Sequence, residues 1–403
     1  MHYPELKKLY YEDEAQYKAA YDRRFSGETA VHPDFAVSKN PAFFIQTGEI
    51  IQTAYEILRL DKEISFLCRD LPGIALKQYS RKCLIDEIVL SNNIEGVHSS
   101  RKEIGEVLMQ LEDQSRQRKK ENRFFGLVNK YMKLGKSDDI PLRTCADIRA
   151  LYDELVLPEI LSEDRSNKPD GKFFRKELSS VYNAAGKIIH NGLSPESAII
   201  ENMEKALSFL HDGSVEELYR ICLFHYMFEY IHPFYDGNGR IGRFILSFCV
   251  SKCLCPLLSY RLSETIKENI RDYYQAFASC NDPRNLGDLT PFLLMMLTMI
   301  KTASVDLRDS LKRRSADWAH YKKALALSCP DDGSAVLSKI TDLLVQASLF
   351  SENGISTQEL IRYSHLTYAT VKKYLKQIEQ RGLLLSEKEG KEKFYTLDLS
   401  LLD

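Results

Sequence analysis

The sequence predicts a mostly α-helical protein with one β-hairpin near its middle and a small helix-and-hairpin domain at its C-terminal end. Three observations carry that expectation. Apolar residues recur at helical spacing almost everywhere from Ile50 to Ile300, while alternating strand-like runs are rare. The helical pattern lapses between Ser162 and Ser194, where Phe173, Phe174, Val181, Tyr182, Ile188 and Ile189 flank Gly and Asn turn residues. Ser328 to Ser334 then holds Ser, Pro, Asp and Gly in close succession and reads as a linker, with a domain boundary near Pro330.

Taken in order, the chain to about Asn40 is polar and Tyr-rich and ends in the Pro-bearing segment Val37 to Pro41, a lead-in or small helical appendage without chemistry. Two helical patterns from Thr53 to Glu95 break at Leu71, Pro72 and Gly73, and the second ends in SNNIEG, stopped by Gly96. Arg101 to Lys136 is helical and heavily charged, as a solvated face would be. After the hairpin, helices are expected over Pro195 to Leu210, Val215 to Tyr230, Ile241 to Cys253, Glu264 to Cys280 and Leu289 to Leu311.

In the C-terminal part, Ile340, Leu343 and Leu344 form one apolar stripe, and STQEL opens the next helix as a capping box between Ser356 and Glu359. A third helix with Val371, Leu375 and Ile378 stops at Gly382, and LLLSEKEGKEKFYTL turns back near Gly390. Three short helices and a hairpin make a winged helix-turn-helix. Its recognition helix would present Thr367, Tyr368, Thr370, Lys372, Lys373 and Lys376. The wing alternates Glu387, Lys388, Glu389, Lys391, Glu392 and Lys393 instead of forming a basic stripe, so DNA binding and protein interaction both stay open.

Composition narrows the classes. The 403 residues exceed one small domain, and 55 Lys+Arg against 57 Asp+Glu leave a net charge of −2, so no global excess draws the chain to nucleic acid or membrane. Hydrophobic residues at 44% and charged residues at 28% are ordinary for a folded protein. Met1 to Tyr11 has no apolar h-region, and no uncharged apolar stretch approaches the roughly 18 residues of a membrane span. A cytoplasmic protein with no membrane partner is expected. The nine Cys form no CxxC pair, and Cys249, Cys253 and Cys255 lie in an apolar stretch without His at ligand spacing, so they read as buried thiols, not a zinc site.

The segment that carries chemistry is HPFYDGNGRIGR, His232 to Arg243. Gly237, Gly239 and Gly242 satisfy GxGxxG, but a dinucleotide fingerprint follows a strand, and Leu218, Ile221, Cys222, His225 and Phe228 have helical spacing. Asp236 and Asn238 match the first ligands of a calcium loop, yet the next positions hold Arg240 and finally Ser247. A phosphate site at a helix N-terminus uses every residue type: glycines admit the anion to backbone amides and the helix dipole faces it. Arg240 and Arg243 are fixed donors for phosphate oxygens, Asp236 is a hard oxygen ligand for Mg2+, and His232 is a general base. Together they describe transfer of a phosphorus centre from a nucleotide.

HPFYDGNGRIGR resembles the signature of Fic-domain proteins, HPFx(D/E)GNGRxxR, at every defined position, and LFHYMFEYIHPF is similar to the family's approach helix. The resemblance covers roughly Asp170 to Met299 and implies a helical Fic core with a β-hairpin flap, moving AMP from ATP onto a Ser, Thr or Tyr hydroxyl of a protein. It makes His232 the base and Asp236 the magnesium ligand, with Phe234 a packing residue. Gly237, Asn238, Gly239 and Gly242 become the phosphate-binding turn, Arg240 a phosphate ligand and Arg243 the contact to the γ-phosphate. Gly239 matches adenylylating members, since phosphorylating ones resemble this signature with Lys there. Phe173 to Ile189 falls where the flap aligns a target by adding it as a strand, and Asn269 and Tyr273 resemble adenine-side residues.

Ser91, Glu95 and Gly96 in SNNIEG resemble the family's inhibitory motif, (S/T)xxxE(G/N). The resemblance implies that Glu95 pairs with Arg243 and withholds it from ATP. The expected domains are 1–110, a helical region with the inhibitory helix at about 80–96; 111–327, the Fic core; 328–335, the linker; and 336–403, the winged helix-turn-helix. Expected partners are a protein target at the flap, the enzyme itself as substrate, DNA through the C-terminal domain and a second copy in a homodimer. Two alternatives stand beside this reading: a nucleotide-sensing DNA-binding transcriptional regulator, and a Fic enzyme that removes AMP.

Overall fold

A computed structural model describes residues 3–112, 122–134, 140–182, 188–328, 335–389 and 392–403. They fall into two compact units, Met1–Asp61 with Ile85–Ser304, and Lys62–Leu84 with Val305–Asp403. This division differs from the boundary read near Pro330, and the expected linker lies mostly outside the described residues. Linker composition marks where the chain turns polar, whereas compactness follows packing. Ile74 packs into the second unit's apolar cluster and the Tyr79 hydroxyl bonds the Ser310 hydroxyl at 2.9 Å.

The lead-in is a small helical appendage with short strands added. It holds α1 (Leu6–Glu12) and α2 (Glu14–Phe25), then strands β1 (Ala30–Val31), β2 (Ala36–Val37), β3 (Asn40–Pro41) and β4 (Phe44–Ile45), pairing β1 with β4 and β2 with β3. Next come α3 (Gly48–Asp70) and α4 (Gly73–Ile94), separated at Pro72 as read, then α5 (Arg101–Glu112) and α6 (Phe125–Leu134). α5 is not only a solvated face: Ile104, Val107 and Leu108 are buried along it. α7 (Cys145–Leu155) starts at a capping box between Thr144 and Asp147 and leads into α8 (Leu157–Glu163).

The hairpin pairs β5 (Ser180–Tyr182) with β6 (Ile188–Asn191) antiparallel, Val181 opposite His190; its tip lies outside the described residues. It is shorter than Phe173 to Ile189, because Phe174 is fully buried and the segment before β5 folds as a turn around Glu196. α9 (Glu196–Leu210), α10 (Glu217–Ile231) and α11 (Asn238–Cys253) follow, and α10 packs against both neighbours. α10 is apolar on every face and accordingly central, with twelve of its residues buried. The helix expected over Glu264 to Cys280 is two helices, α12 (Leu262–Glu268) and α13 (Ile270–Asn281), broken at Asn269. α14 (Thr290–Ser328) is long and apolar enough to cross a membrane by length and composition, a case the sequence scan did not find. Of its most apolar window, 56% is buried within the protein, as in a core helix.

In the second unit, α15 (Ala335–Phe350), β7 (Ile355–Ser356), α16 (Thr357–Ser364), α17 (Tyr368–Gln380), β8 (Leu384–Glu389) and β9 (Glu392–Leu397) enclose an apolar cluster that includes Ile340, Leu344, Val371, Leu375 and Ile378. The strands lie in the order β7, β9, β8. Ser356 and Glu359 form the capping box read from STQEL. Of the outward residues expected on α17, Tyr368, Lys373 and Lys376 are exposed, whereas Lys372 donates to the Tyr395 hydroxyl at 3.0 Å.

Candidate active site

The site is built on the turn between α10 and α11. Pro233 cannot continue a helix, and α10 closes with His232 in the left-handed region (φ 51°), its N–H on the Phe228 carbonyl at 3.0 Å. Phe234 then drops into the core, its ring 3.6 Å from that of Tyr152. Asn238 staples the turn: its Oδ1 accepts from the Phe234 N–H at 2.9 Å and its Nδ2 donates to the Phe234 carbonyl at 2.8 Å. Its side chain is therefore spent on the loop, and only its backbone could serve the anion nest expected of it. Gly237, at φ +80°, opens α11, and no side chain caps that helix start. Uncapped N–H groups at the positive end of a helix are an anion site.

The anion standing there is Glu95. A Cβ on Gly239 would lie 2.1 Å from its Oε1, so the carboxylate rests directly on the first turn of α11. Arg243, one turn further on, is buried; it donates from Nη1 to Glu95 Oε1 at 2.8 Å, from Nε to the Ser91 hydroxyl at 3.0 Å and from Nη2 to the Ser91 carbonyl at 2.9 Å. Burial alone would lower the Arg243 pKa, but the facing Glu95 carboxylate holds it above its ordinary value. The structure thus brings together Ser91, Glu95 and Arg243. Gly96 follows in the left-handed conformation (φ +74°).

One residue of this face was missed. Glu87 lies one helical turn before Ser91 and two before Glu95, and it meets Ser247, one turn after Arg243. Its carboxylate accepts from the Ser263 hydroxyl at 2.7 Å, the Ser263 N–H at 2.9 Å and the Ser247 hydroxyl at 3.2 Å. Burial pushes its pKa up to about 7, with the serine hydrogen bonds and Arg243 opposing. The folded protein thus holds this proton between about pH 4.5 and 7, where the unfolded chain has released it. The associated stability is full below about pH 4.5 and is lost as the pH rises through 7. Glu87→Gln should therefore flatten the fall in stability across that window by about 3 kcal/mol, read from urea unfolding at pH 4.5 and pH 7.5.

Arg240 is placed otherwise than as a phosphate ligand. It is buried, its Nη1 bonds the buried Glu159 carboxylate on α8, and its Nη2 stands 4.0 Å from Asp236 Oδ1. Removing one partner of a buried ion pair strands the other charge, so Glu159→Ala should destabilise the protein by about 3–5 kcal/mol in a denaturant melt. Gly242 is likewise taken: a Cβ there would meet Glu229 Oε1 at 2.2 Å. Burial and the neighbouring Glu95 charge raise the Glu229 pKa to about 8, so this carboxyl is mostly protonated at neutral pH.

His232 lines a pocket with Glu95, Glu229, Gly239 and Arg243, and the hairpin contributes Val181 and His190. Burial, with the nearby His190 and Arg175, lowers the His232 pKa to about 3, so at neutral pH the ring is uncharged. Tyr273, Tyr274 and Phe277 of α13 close the far side. Tyr273 is buried, its hydroxyl 2.7 Å from His225 Nε2. Asn269 does not line the pocket; its Nδ2 donates to the Thr265 carbonyl at the break between α12 and α13. Asp236 is 47% exposed, with Oδ1 accepting from the Gly237 N–H at 2.5 Å. No group of three or more metal-ligating side chains occurs among the described residues. A single open carboxylate beside an anion site suits a hard cation that arrives with a polyphosphate.

Residues 144–250 match the model of the Fic/DOC family. The chain is 26% identical over 166 residues to protein adenylyltransferase fic-1 of Caenorhabditis elegans, covering 40% of this chain and 30% of that protein. It is 31% identical over 100 residues to protein adenylyltransferase Fic of Nematostella vectensis, covering 23% of this chain and 21% of that protein. The chain thus spans less than a third of these two curated relatives. Among solved structures, a Fic family protein from Desulfovibrio desulfuricans G20 shares the fold, with TM-score 0.52 at 19% identity over 91% of this chain and 98% of that one. With the signature turn in place and the family match spanning α7 to α11, the chain carries a Fic domain over residues 144–250.

Proposed function

We propose that the protein is a protein adenylyltransferase that moves AMP from ATP to a Ser, Thr or Tyr hydroxyl of a target protein or of itself, and that Glu95 holds it latent. The observation that supports this most is the pairing of a neutral pocket histidine with an uncapped, arginine-backed helix start across one rigid turn. A ring nitrogen of His232 takes the hydroxyl proton as the oxygen attacks the α-phosphorus; the bond to the bridging oxygen breaks and pyrophosphate leaves with its electron pair. The first turn of α11 and Arg243 take up the charge of the phosphates. Asp236 would hold Mg2+, which neutralises phosphate charge when bound. The target lies along the hairpin as an added strand, its hydroxyl directed at His232. Arg240 and Gly242 act behind this surface, Arg240 bonded to Glu159 beside Asp236 and Gly242 leaving room for Glu229.

With Glu95 on Arg243, the guanidinium and the helix start already have their anion, and the triphosphate competes with it for both. Label transfer from ATP carrying the label at the α-phosphate, to the protein itself and to lysate proteins, tests the reading. Covalent label in a Glu95→Gly chain supports it; ATP binding without label in any variant rejects it.

A further inference from the structure

Arg175 is one of the largest fully buried side chains, and no carboxylate among the described residues pairs with it. Its guanidinium is spent on three backbone carbonyls: Nε donates to His232 at 2.9 Å, Nη1 to Glu177 at 2.6 Å and Nη2 to Leu193 at 2.8 Å. Its own N–H bonds the Pro233 carbonyl at 3.2 Å. Glu177 lies on the leg entering β5 and Leu193 on the leg leaving β6. One planar fork therefore ties both legs of the hairpin to the residue that carries the pocket imidazole.

Burying an unpaired guanidinium costs desolvation that an apolar side chain would avoid. What Arg offers in return is donors held at fixed angles in one plane, which neither Lys nor an apolar residue supplies. The surroundings are cut to fit it. A Cβ on Gly192 would stand 2.3 Å from Arg175 Nη2, 2.8 Å from the His232 Cβ and 3.1 Å from the Ile231 carbonyl oxygen. Gly192 is thus the gap through which hairpin, guanidinium and histidine meet. The segment before the hairpin has independent anchors: the Glu196 carboxylate accepts the N–H groups of Lys172, Phe173 and Phe174, and the Tyr235 hydroxyl accepts that of Glu177. Arg175 is therefore not needed merely to keep that segment folded.

We propose that Arg175, seated against Gly192, is a positioning residue that sets the spacing between the hairpin and the His232 imidazole, and so places an acceptor hydroxyl on an extended peptide within reach of the base. This rests on the transferase reading above and adds to it the part that fixes acceptor geometry. Loss of the fork leaves the nucleotide side of the pocket, Arg243 and the first turn of α11, as it was. It lets the hairpin legs drift relative to His232, and misplacement on the ångström scale costs about 10²-fold in rate.

The test uses the full chain carrying Glu95→Gly, alone and combined with Arg175→Lys, Arg175→Met or Gly192→Ala, the last displacing the guanidinium without altering it. Three readouts are taken: the ATP Kd by calorimetry, kcat and KM for label transfer, and amide hydrogen exchange of peptides covering 177–182 and 188–193. All three variants should keep the ATP Kd within about twofold, lose tenfold or more in kcat and exchange faster in those two peptides, with α9 and α11 unchanged. Full kcat, a Kd that weakens in step with kcat, exchange that rises throughout the protein, or failure of all three variants to fold would each overturn the proposal. Absence of label in the Glu95→Gly parent rejects the transferase reading instead, and the exchange data then still decide whether Arg175 clamps the hairpin.

Discussion

Glu95→Gly should raise covalent AMP transfer at least tenfold over the parent chain, with incorporation of the α-phosphate label diluted out by excess unlabelled ATP. The carboxylate makes a 2.8 Å bond to a buried guanidinium and lies on the uncapped turn that would receive phosphates, so one substitution frees both. A charge-assisted hydrogen bond to a buried partner contributes about 1.5–3 kcal/mol, which converts to a factor of ten or more in competition with nucleotide. Arg243 does not collapse when Glu95 is removed, because Ser91 still accepts two of its hydrogen bonds. Calorimetric ATP binding should tighten in the same variant. If neither binding nor transfer changes, the pair is only a structural contact and the latency proposal is wrong.

Adding His232→Ala to Glu95→Gly should remove transfer by about 10²–10⁴-fold while leaving ATP affinity within a few fold. The two effects separate because the phosphate-facing groups belong to the first turn of α11 and Arg243, while the imidazole stands at the other end of the turn, against the hairpin. Loss of binding together with transfer would point to a pocket that has come apart, and undiminished transfer would require another base. His190 is the nearest alternative, but its Nε2 donates to the Tyr230 carbonyl at 2.7 Å.

What could be read in the sequence was local. The signature turn is contiguous, and the structure forms it with Gly237 left-handed and Asn238 stapled to Phe234. Ser91 and Glu95 could be read because they lie four residues apart in one short motif at the end of α4, and the C-terminal helices because their caps are written beside them. The groups that went unseen have partners far along the chain: Glu159 is 81 residues from Arg240, Arg175 is 57 from His232 and Glu87 is 176 from Ser263. A charged residue in a helical pattern reads as solvated unless its partner is known, so nothing in the sequence singled out Glu87 or Glu159. For the same reason Arg240 was given to the nucleotide when a buried carboxylate already held it. Phe173 and Phe174 suggested strands because aromatic residues favour sheets, yet Phe174 is core and Glu196 turns the backbone there. The break at Asn269 has neither Pro nor Gly to announce it.

The carboxylate that occupies Arg243 travels on the same chain as the guanidinium, and for the proposed resting state this sets the expected response to dosage. A tethered competitor has a local concentration set by geometry and not by the number of molecules present. On the latency proposed above, dilution does not remove it, and the expected fraction of copies at rest is the same at low and high expression. Proposed output therefore scales with the number of molecules whose α4 has been drawn away from α11, not with the number made.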